Sequence, residues 1–316
     1  MTMNRRLNLR IRAIAREADG IHSYELIDEA GGELPAFTAG AHVTVHLPGG
    51  VSRSYSLTNC PEERHRYVIA VNRDARSRGG SRYLHDTARV GQVLPADPPR
   101  NLFELDENAP ASVLIAGGIG ITPIRCMIRR LETLGRRWEL HYCARHPAAA
   151  AYLEELRVDP RVRTYFDAGP APRRLDIAAT LAALPADAHV YCCGPAPMLR
   201  AFQTHAAALP PARVHLERFG AAEAASTEGG YTVRLARSGR TVQVRTGQSI
   251  LEALLEAGEQ PPHACRQGVC GSCETAVLSG RPDHRDQVLS ATEKAAGASM
   301  MICCSGSLDA ELVLDL

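Results

Sequence analysis

The sequence lacks the features that mark several classes of protein. Its 316 residues contain no apolar run that approaches the roughly 20 residues needed to cross a bilayer. The first residues alternate apolar with charged side chains and therefore lack the apolar segment of a signal peptide. With 36 basic and 35 acidic residues, the net charge of +1 offers no footprint for nucleic acid. These absences predict a cytoplasmic protein that binds neither nucleic acid nor membrane.

The composition is that of a globular chain with an unusual number of cysteines. Hydrophobic residues make up 45% and charged residues 22%, and the length suggests two or three domains. In a reducing compartment the ten cysteines are expected to be buried thiols, catalytic thiols or metal ligands rather than disulfides. Five of them crowd the last quarter of the chain, which is the first functional clue.

The pattern of apolar runs changes twice along the chain. Residues 1–105 alternate short strands with Gly-rich turns, which is typical of an antiparallel barrel or sandwich. Residues 106–222 alternate strands with helical stretches, which predicts a parallel α/β sheet. A small, polar segment around 220–230 has the composition of a linker. The third predicted domain, 230–316, opens with a hairpin and a helix that Ser249 and Glu252 begin with capping-box spacing.

The most specific motif lies in this last domain. Cys265, Cys270 and Cys273 have the spacing C-x4-C-x2-C, which is that of plant-type [2Fe–2S] centres held by four thiolates. The alternative, a structural zinc site, would require a second C-x2-C pair or suitably spaced histidines. The hairpin and helix also match the β-grasp fold of plant-type ferredoxins. Resemblance to those domains, in which the fourth ligand follows two apolar residues, favours Cys303 over Cys304.

A second motif follows the first strands of the chain. Arg53, Ser54, Tyr55 and Ser56 resemble the R-x-Y-S motif of the ferredoxin–NADP reductase superfamily, whose barrel binds a flavin. The arginine offers a planar fork of donors to a flavin phosphate. The tyrosine can pack against the ring, and the serine hydroxyl can reach its reactive edge. The alternative is an ordinary strand with an exposed arginine and a packed tyrosine.

A glycine-rich loop supports the flavin interpretation. Gly79, Gly80 and Ser81 can present successive N–H groups to an anion, although a plain turn has the same composition. In the superfamily, the corresponding loop holds the flavin phosphate. The neighbouring strand would then line the ring with Ala70, Val71 and Asn72.

Two strand ends in the α/β segment indicate nucleotide binding. The first joins a strand to a helix, where close backbone approach and the helix N-terminus favour a pyrophosphate. Its residues are Gly117, Gly118, Ile119 and Gly120, followed by Thr122 and Pro123. The second consists of Cys193, Gly194 and Pro195 and resembles a C-G-P motif whose cysteine lies near the site of hydride transfer. Without that resemblance, such cysteines are more often buried small hydrophobic residues.

In this order, the motifs resemble the phthalate dioxygenase reductase family, including vanillate demethylase reductase subunits. The resemblance implies three domains: an antiparallel β-barrel for flavin, an α/β parallel sheet for nicotinamide, and a β-grasp (α+β) ferredoxin domain. It implies FMN rather than FAD, with the phosphate held by Arg53 and the loop 79–81. Phe219 matches the family's aromatic residue near the flavin.

The resemblance also implies a function. Electrons from NADH would pass through FMN and the [2Fe–2S] cluster to the Rieske centre of a separate terminal oxygenase, and the chain is expected to be a monomer. By itself Arg145, after the second strand of the α/β segment, could argue for NADPH, but relatives with an arginine there imply NADH. Alternative acceptors are a cytochrome P450 or a diiron monooxygenase. A flavin-free iron–sulfur carrier is the alternative from a different class.

Overall fold

The computed structural model describes residues 6–74, 77, 79–169, 171–219, 226, 228–263, 266, 268–269 and 271–316. The chain divides into two units, Met1–Arg218 and Phe219–Leu316. No helix in the described ranges is both long and apolar enough to span a membrane.

The first part of unit 1 is an antiparallel sheet of six strands in the order β4-β3-β6-β1-β2-β5. A bridge between Leu57 and Ile69 joins the two outer strands, so the sheet closes on itself. Inward-facing side chains such as Leu9, Ile11 and Val43 are fully buried inside it. A short helix, α1, connects β5 to β6. The elements are β1 (Leu7–Ala18), β2 (Ile21–Asp28), β3 (His42–Leu47), β4 (Val51–Ser56), β5 (Tyr67–Asn72), α1 (Gly80–Asp86) and β6 (Val93–Ala96).

The second part of unit 1 is a parallel sheet of five strands in the order β11-β10-β7-β8-β9. Its central strand, β7, is buried along its whole length, as expected for a parallel strand covered by helices on both faces. The elements are β7 (Ala111–Gly117), α2 (Ile121–Thr133), β8 (Arg137–Ala144), α3 (Leu153–Leu156), β9 (Val162–Phe166), α4 (Ile177–Ala182), β10 (Ala188–Gly194), α5 (Ala196–Ala206) and β11 (Val214–Arg218).

Unit 2 consists of a mixed five-stranded sheet, in the order β13-β12-β18-β14-β16, and a helix, α6, whose buried face contributes to the same core. The predicted capping box at Ser249 and Glu252 is present at the start of α6. The elements are β12 (Tyr231–Leu235), β13 (Thr241–Val244), α6 (Ile250–Glu256), β14 (Glu274–Ser279), β15 (Pro282–Asp283), α7 (Ala291–Ala296), β16 (Ser299–Met301), β17 (Gly306–Ser307) and β18 (Glu311–Leu314).

The three larger sheets agree with the three predicted kinds of fold. The division into domains 1–105, 106–222 and 230–316 stays a prediction. The structure separates only two units, and the first of them contains nearly all of the first two predicted domains. Most of the predicted linker around 220–230 lies outside the described residues.

Candidate active site

The predicted flavin motif and the predicted phosphate loop are neighbours in the structure. Arg53 lies on β4, and Gly80 begins α1. A Cβ atom on Gly80 would lie 2.6 Å from the Arg53 Cγ, so only glycine permits this approach. Gly79 precedes the helix with a φ of 101°, which a side chain would disfavour. An arginine beside backbone N–H groups at a helix start fits an anionic phosphate.

The other predicted flavin residues take different positions on these strands. Tyr55 is half-buried against the barrel core, and burial raises the pKa of its hydroxyl. Ser54 instead faces β3, since its Oγ lies 3.0 Å from the Thr44 Oγ1. The Ser81 Oγ accepts a hydrogen bond from the Asp74 backbone N–H at 3.2 Å. On β5 the predicted ring-lining residues differ in exposure: two are buried and one is exposed, namely Ala70, Val71 and Asn72.

The two nucleotide motifs pack against each other at the carboxyl ends of β7 and β10. A Cβ on Gly120 would lie 2.1 Å from the backbone oxygen of Cys193, and one on Gly117 would lie 2.6 Å from the Pro195 Cδ. Gly194 is equally confined, because its Cβ would meet Met198. Glycine is therefore required by close packing here. The resulting backbone-lined junction suits a nucleotide that must approach the main chain.

Further nucleotide candidates surround this junction. Gly118 and Ile119 form the half-buried turn before α2, and the Thr122 hydroxyl donates to the Ile119 carbonyl at 2.9 Å. Pro123 is buried in the first turn of α2. Arg145 is exposed just after β8. Phe219, which follows β11, is exposed to 37% and belongs to unit 2.

A carboxyl group that motif reasoning missed joins two of these regions. Glu217 on β11 pairs with Cys193 on β10, and its side chain is hydrogen-bonded to Ser56 on β4. The Glu217 Oε2 is shielded from solvent and has no partner among the described residues. Burial raises the pKa of Glu217 to about 8, whereas the hydrogen bond from Ser56 opposes this shift. The carboxyl is therefore largely neutral at pH 7.

The Cys193 thiol is fully buried at the same junction. Burial, the nearby Glu217 carboxyl and Cys192 all raise the pKa of Cys193, in that order of importance. The thiol is therefore neutral and offers a packing surface rather than a nucleophile. The one signal in the sequence for Glu217 is its position two residues before the motif residue Phe219.

The cluster motif is described in part. Cys265 and Cys270 lie outside the described residues. Cys273 and Cys303 are both buried, and their thiols interact directly with each other. The backbone N–H of Gly268, from the cysteine loop, also reaches the Cys303 sulfur. This arrangement fits a cluster held by one loop and one distant cysteine.

The adjacent cysteine, Cys304, has contacts outside the Cys273–Cys303 pair. The Cys304 Sγ lies 3.7 Å from the Met301 carbonyl and 3.9 Å from the Ser305 Oγ. It nevertheless interacts with Cys303 as well. The contacts of Cys303 with Cys273 and the Gly268 N–H are compatible with Cys303 as the fourth ligand, which stays a prediction.

Comparison with known proteins identifies the family. Residues 233–306 match the 2Fe-2S iron-sulfur cluster binding domain family. The whole chain is 57% identical over 311 residues to a phenoxybenzoate dioxygenase subunit beta from Ectopseudomonas oleovorans, covering 98% of this chain and 97% of that one. It is 42% identical to the phthalate dioxygenase reductase of Burkholderia cepacia, covering 98% and 97%. The chain belongs to the phthalate dioxygenase reductase family.

Other comparisons agree with this membership. A tetrachlorobenzoquinone reductase from Sphingobium chlorophenolicum is 50% identical and covers 98% of both chains. Phthalate dioxygenase reductase, which transfers electrons from pyridine nucleotides to [2Fe–2S], has a solved structure. That structure superposes on this chain with a TM-score of 0.80, at 42% identity and 98% coverage of both chains. These matches confirm the predicted fold class and the family resemblance.

Family membership establishes the general chemistry of this reductase. It is an iron–sulfur flavoprotein oxidoreductase that takes electrons from a pyridine nucleotide and delivers them to a [2Fe–2S] cluster. The residues fit these groups. The close approach of Arg53 to Gly80 suits a phosphate, the glycine junction around Gly120 suits a nucleotide, and the Cys273–Cys303 pair suits a cluster.

Proposed function

We propose that this chain is the NADH-dependent reductase component of a Rieske-type oxygenase, and that its flavin is FMN. Support for an oxygenase partner comes from relatives named as dioxygenase subunits or reductases at 57% and 42% identity. We also propose that the protein acts as a monomer in the cytoplasm, where thiols stay reduced. All eight cysteines that the described ranges include are free.

The observation that carries the proposal is the convergence of Ser56, Cys193 and Glu217 in unit 1. These residues come from the flavin motif, the nucleotide motif and the strand that follows it. Bound flavin accepts two electrons from nicotinamide and releases them singly, which a [2Fe–2S] centre requires. A site that serves this exchange must bring the flavin strand and the nucleotide loop together, and this junction does so.

The chain's own residues have separable roles in this proposal. Arg53 and Gly80 hold the flavin phosphate, and Ser56 orients the ring edge through its hydroxyl. Glu217 keeps a proton next to Ser56 at neutral pH, because burial disfavours its charged form. The neutral, buried Cys193 thiol excludes water from the junction. None of these residues needs to form a covalent bond.

An anaerobic titration tests the proposal. NADH is added to the purified protein while flavin and iron–sulfur absorption are recorded. We expect both sets of bands to bleach together and to require about three electrons per chain. Cluster absorption that NADH leaves unchanged, in protein without flavin, would contradict the proposal and support a simple iron–sulfur carrier.

Cofactor identity is tested on the same preparation. Heat-released flavin separated by chromatography should be FMN, and FAD in stoichiometric amount would reject that assignment. NADH should give a higher kcat/KM than NADPH in flavin reduction. Equal efficiency with the two nucleotides would reject the NADH preference. An Arg145→Ala variant should lower residual NADPH use more than NADH use, because Arg145 is exposed just after β8 and its charge would favour a 2′-phosphate.

One comparison favours a second candidate, direct reduction of a small quinone. The relative at 50% identity is named a tetrachlorobenzoquinone reductase. Direct reduction at the flavin would not require the cluster, whereas delivery to a Rieske protein would. A Cys303→Ser variant without a cluster should therefore lose reduction of a purified Rieske oxygenase. The quinone function replaces our proposal if two results are found together. The Cys303→Ser variant keeps full NADH-dependent turnover of a chlorinated benzoquinone, and the wild type, like the variant, fails to reduce the oxygenase.

A further inference from the structure

One half-buried arginine in unit 1, Arg125, joins the strands of the barrel to the helix that follows the nucleotide loop. The Arg125 Nη1 donates to the Thr58 carbonyl at 2.9 Å, and its Nη2 donates to the Glu155 Oε2 at 2.8 Å. Its guanidinium carbon lies 4.4 Å from the centre of the Tyr152 ring. Only 14% of the side chain is exposed. Arg125 thus connects α2 to the barrel and to the segment around α3.

The residue on the barrel side, Thr58, is fixed to both candidate flavin strands. It follows β4 by two residues, and its backbone N–H and hydroxyl both donate to the Val68 carbonyl on β5, at 2.8 and 3.2 Å. Ser56 lies two residues before Thr58, and Ala70 lies two residues after Val68. A shift of Thr58 would therefore reach both strands that are proposed to hold the flavin.

On the other side, Arg125 lies one turn after Thr122 on α2. This helix begins directly after the Gly118–Gly120 turn, and β5 packs against that turn. Backbone hydrogen bonds make a helical turn stiff, so a shift of Arg125 is passed to the nucleotide loop. Arg125 therefore provides a second hydrogen-bonded connection between the two motifs, beside the one that runs through Ser56 and Glu217.

Two features around Arg125 are unfavourable by themselves: a guanidinium largely removed from water, and the backbone conformation of Tyr152. Burying a guanidinium is unfavourable unless its donors are paired, and here they reach a carbonyl and a carboxylate. Tyr152, beneath the guanidinium, has a φ of 59°, a conformation that residues with side chains rarely adopt. Strained backbone persists where surrounding contacts determine it, and it is often associated with function.

We propose that Arg125 is a positioning residue that fixes the flavin strands relative to the nucleotide loop. This inference rests on the proposed function, since it assumes that nicotinamide and flavin meet at the junction of Ser56, Cys193 and Glu217. A misplacement of about 1 Å between reacting groups can slow a reaction by about a hundredfold. Loss of the Arg125 connection should therefore slow flavin reduction without removing the flavin.

The test compares three variants of the full-length holoprotein. Arg125→Met removes every donor, and Arg125→Lys keeps the charge but cannot reach Thr58 and Glu155 with one planar fork. Arg129→Met is the matched control, because Arg129 also pairs with Glu155, at 2.7 Å, but is exposed to 42%. Flavin content and thermal unfolding are measured for each. Stopped-flow mixing with NADH then gives the rate constant of flavin reduction at saturation and the dissociation constant of NADH.

We expect Arg125→Met to reduce the saturating rate constant about tenfold or more, with little change in the NADH dissociation constant. The saturating rate constant of Arg125→Lys should lie between those of Arg125→Met and the wild type. That of Arg129→Met should equal the wild-type value. Hydrogen–deuterium exchange provides a readout besides activity. Peptides that cover Thr58 and Val68 should exchange about tenfold faster in Arg125→Met, since a hydrogen bond to a charged donor is lost. The same peptides should be unchanged in Arg129→Met.

Two results would overturn the inference. One is a wild-type saturating rate constant in flavin-replete Arg125→Met, and the other is equal slowing in Arg129→Met. If Arg125→Met does not fold, the Lys variant decides, and a wild-type rate constant and exchange pattern in that variant overturn the inference. A wild-type protein whose flavin NADH does not reduce is a separate result, since it refutes the proposed function before any variant is compared.

Discussion

The raised pKa of Glu217 leads to a prediction about stability and pH. Its pKa is raised to about 8 by burial, against an ordinary value near 4.5. The unfolded chain therefore releases this proton at much lower pH than the folded chain does. Between these two values, the folded state binds one more proton than the unfolded state, so stability falls as pH rises. The loss is complete above the folded-state pKa.

The size of the effect follows from the slope. One bound proton changes the free energy of unfolding by about 1.4 kcal/mol per pH unit. From pH 6 to pH 7.5 the wild type should lose about 2 kcal/mol that a Glu217→Gln variant does not lose. Because the residue is only half-buried as a whole, we reduce this to about 1–2 kcal/mol. For a unit of this size, that corresponds to roughly 2–8 °C in Tm.

The assay is thermal unfolding of wild type and Glu217→Gln at pH 6.0 and 7.5. The Tm of the variant should rise relative to the wild type as pH increases. Glu107→Gln is the control, because hydrogen bonds from Arg130 lower the pKa of Glu107 and keep it ionised across this range. Its Tm difference from the wild type should be the same at both pH values. Parallel Tm profiles for wild type and Glu217→Gln would refute the raised pKa.

Two further predictions concern the cluster and the nucleotide junction. Cys303→Ser should lose the iron–sulfur absorption and iron content, whereas Cys304→Ser should keep both; the opposite result would assign Cys304 as the ligand. Gly120→Ala should slow NADH-dependent flavin reduction more than tenfold, since its Cβ would lie 2.1 Å from the Cys193 carbonyl oxygen. Gly135→Ala, at a φ of 63° but in open space, should cost only about 1–2 kcal/mol of stability and leave that rate unchanged.

The sequence predicted the strongly patterned elements well. The hairpin β12–β13, the helix α6 and its capping box at Ser249 and Glu252 are present where the last domain was predicted to open. Their apolar periodicity is unambiguous, and burial in the sheet reinforces it. The cluster motif was equally clear, because its spacing alone limits the chemistry. Such features depend on local sequence, so one sequence suffices to find them.

Two elements escaped prediction for physical reasons. The helix α1 begins at Gly80, within a segment whose glycines and serine are typical of a turn. The strand β11 spans only five residues, Val214–Arg218, so its brief alternation of apolar and polar residues is a weak signal. Its strand conformation comes from parallel pairing with β10, which is distant in sequence. Tertiary pairing, rather than propensity, decides such segments.

The same argument explains why the candidate site was predicted only in part. Motifs identified Ser56 and Cys193 separately, but the carboxyl between them belongs to β11, the strand that local pattern did not reveal. A glutamate in a strand is usually solvated, and nothing in its neighbours distinguishes one that is buried. Arg125 is a similar case, since helix arginines normally face water. Both residues lie where the antiparallel and the parallel sheet of unit 1 come together, and this proximity is visible only in the folded structure. Arg125 and Glu217, which lie at this boundary, are therefore the residues whose substitution should separate cofactor binding from electron transfer.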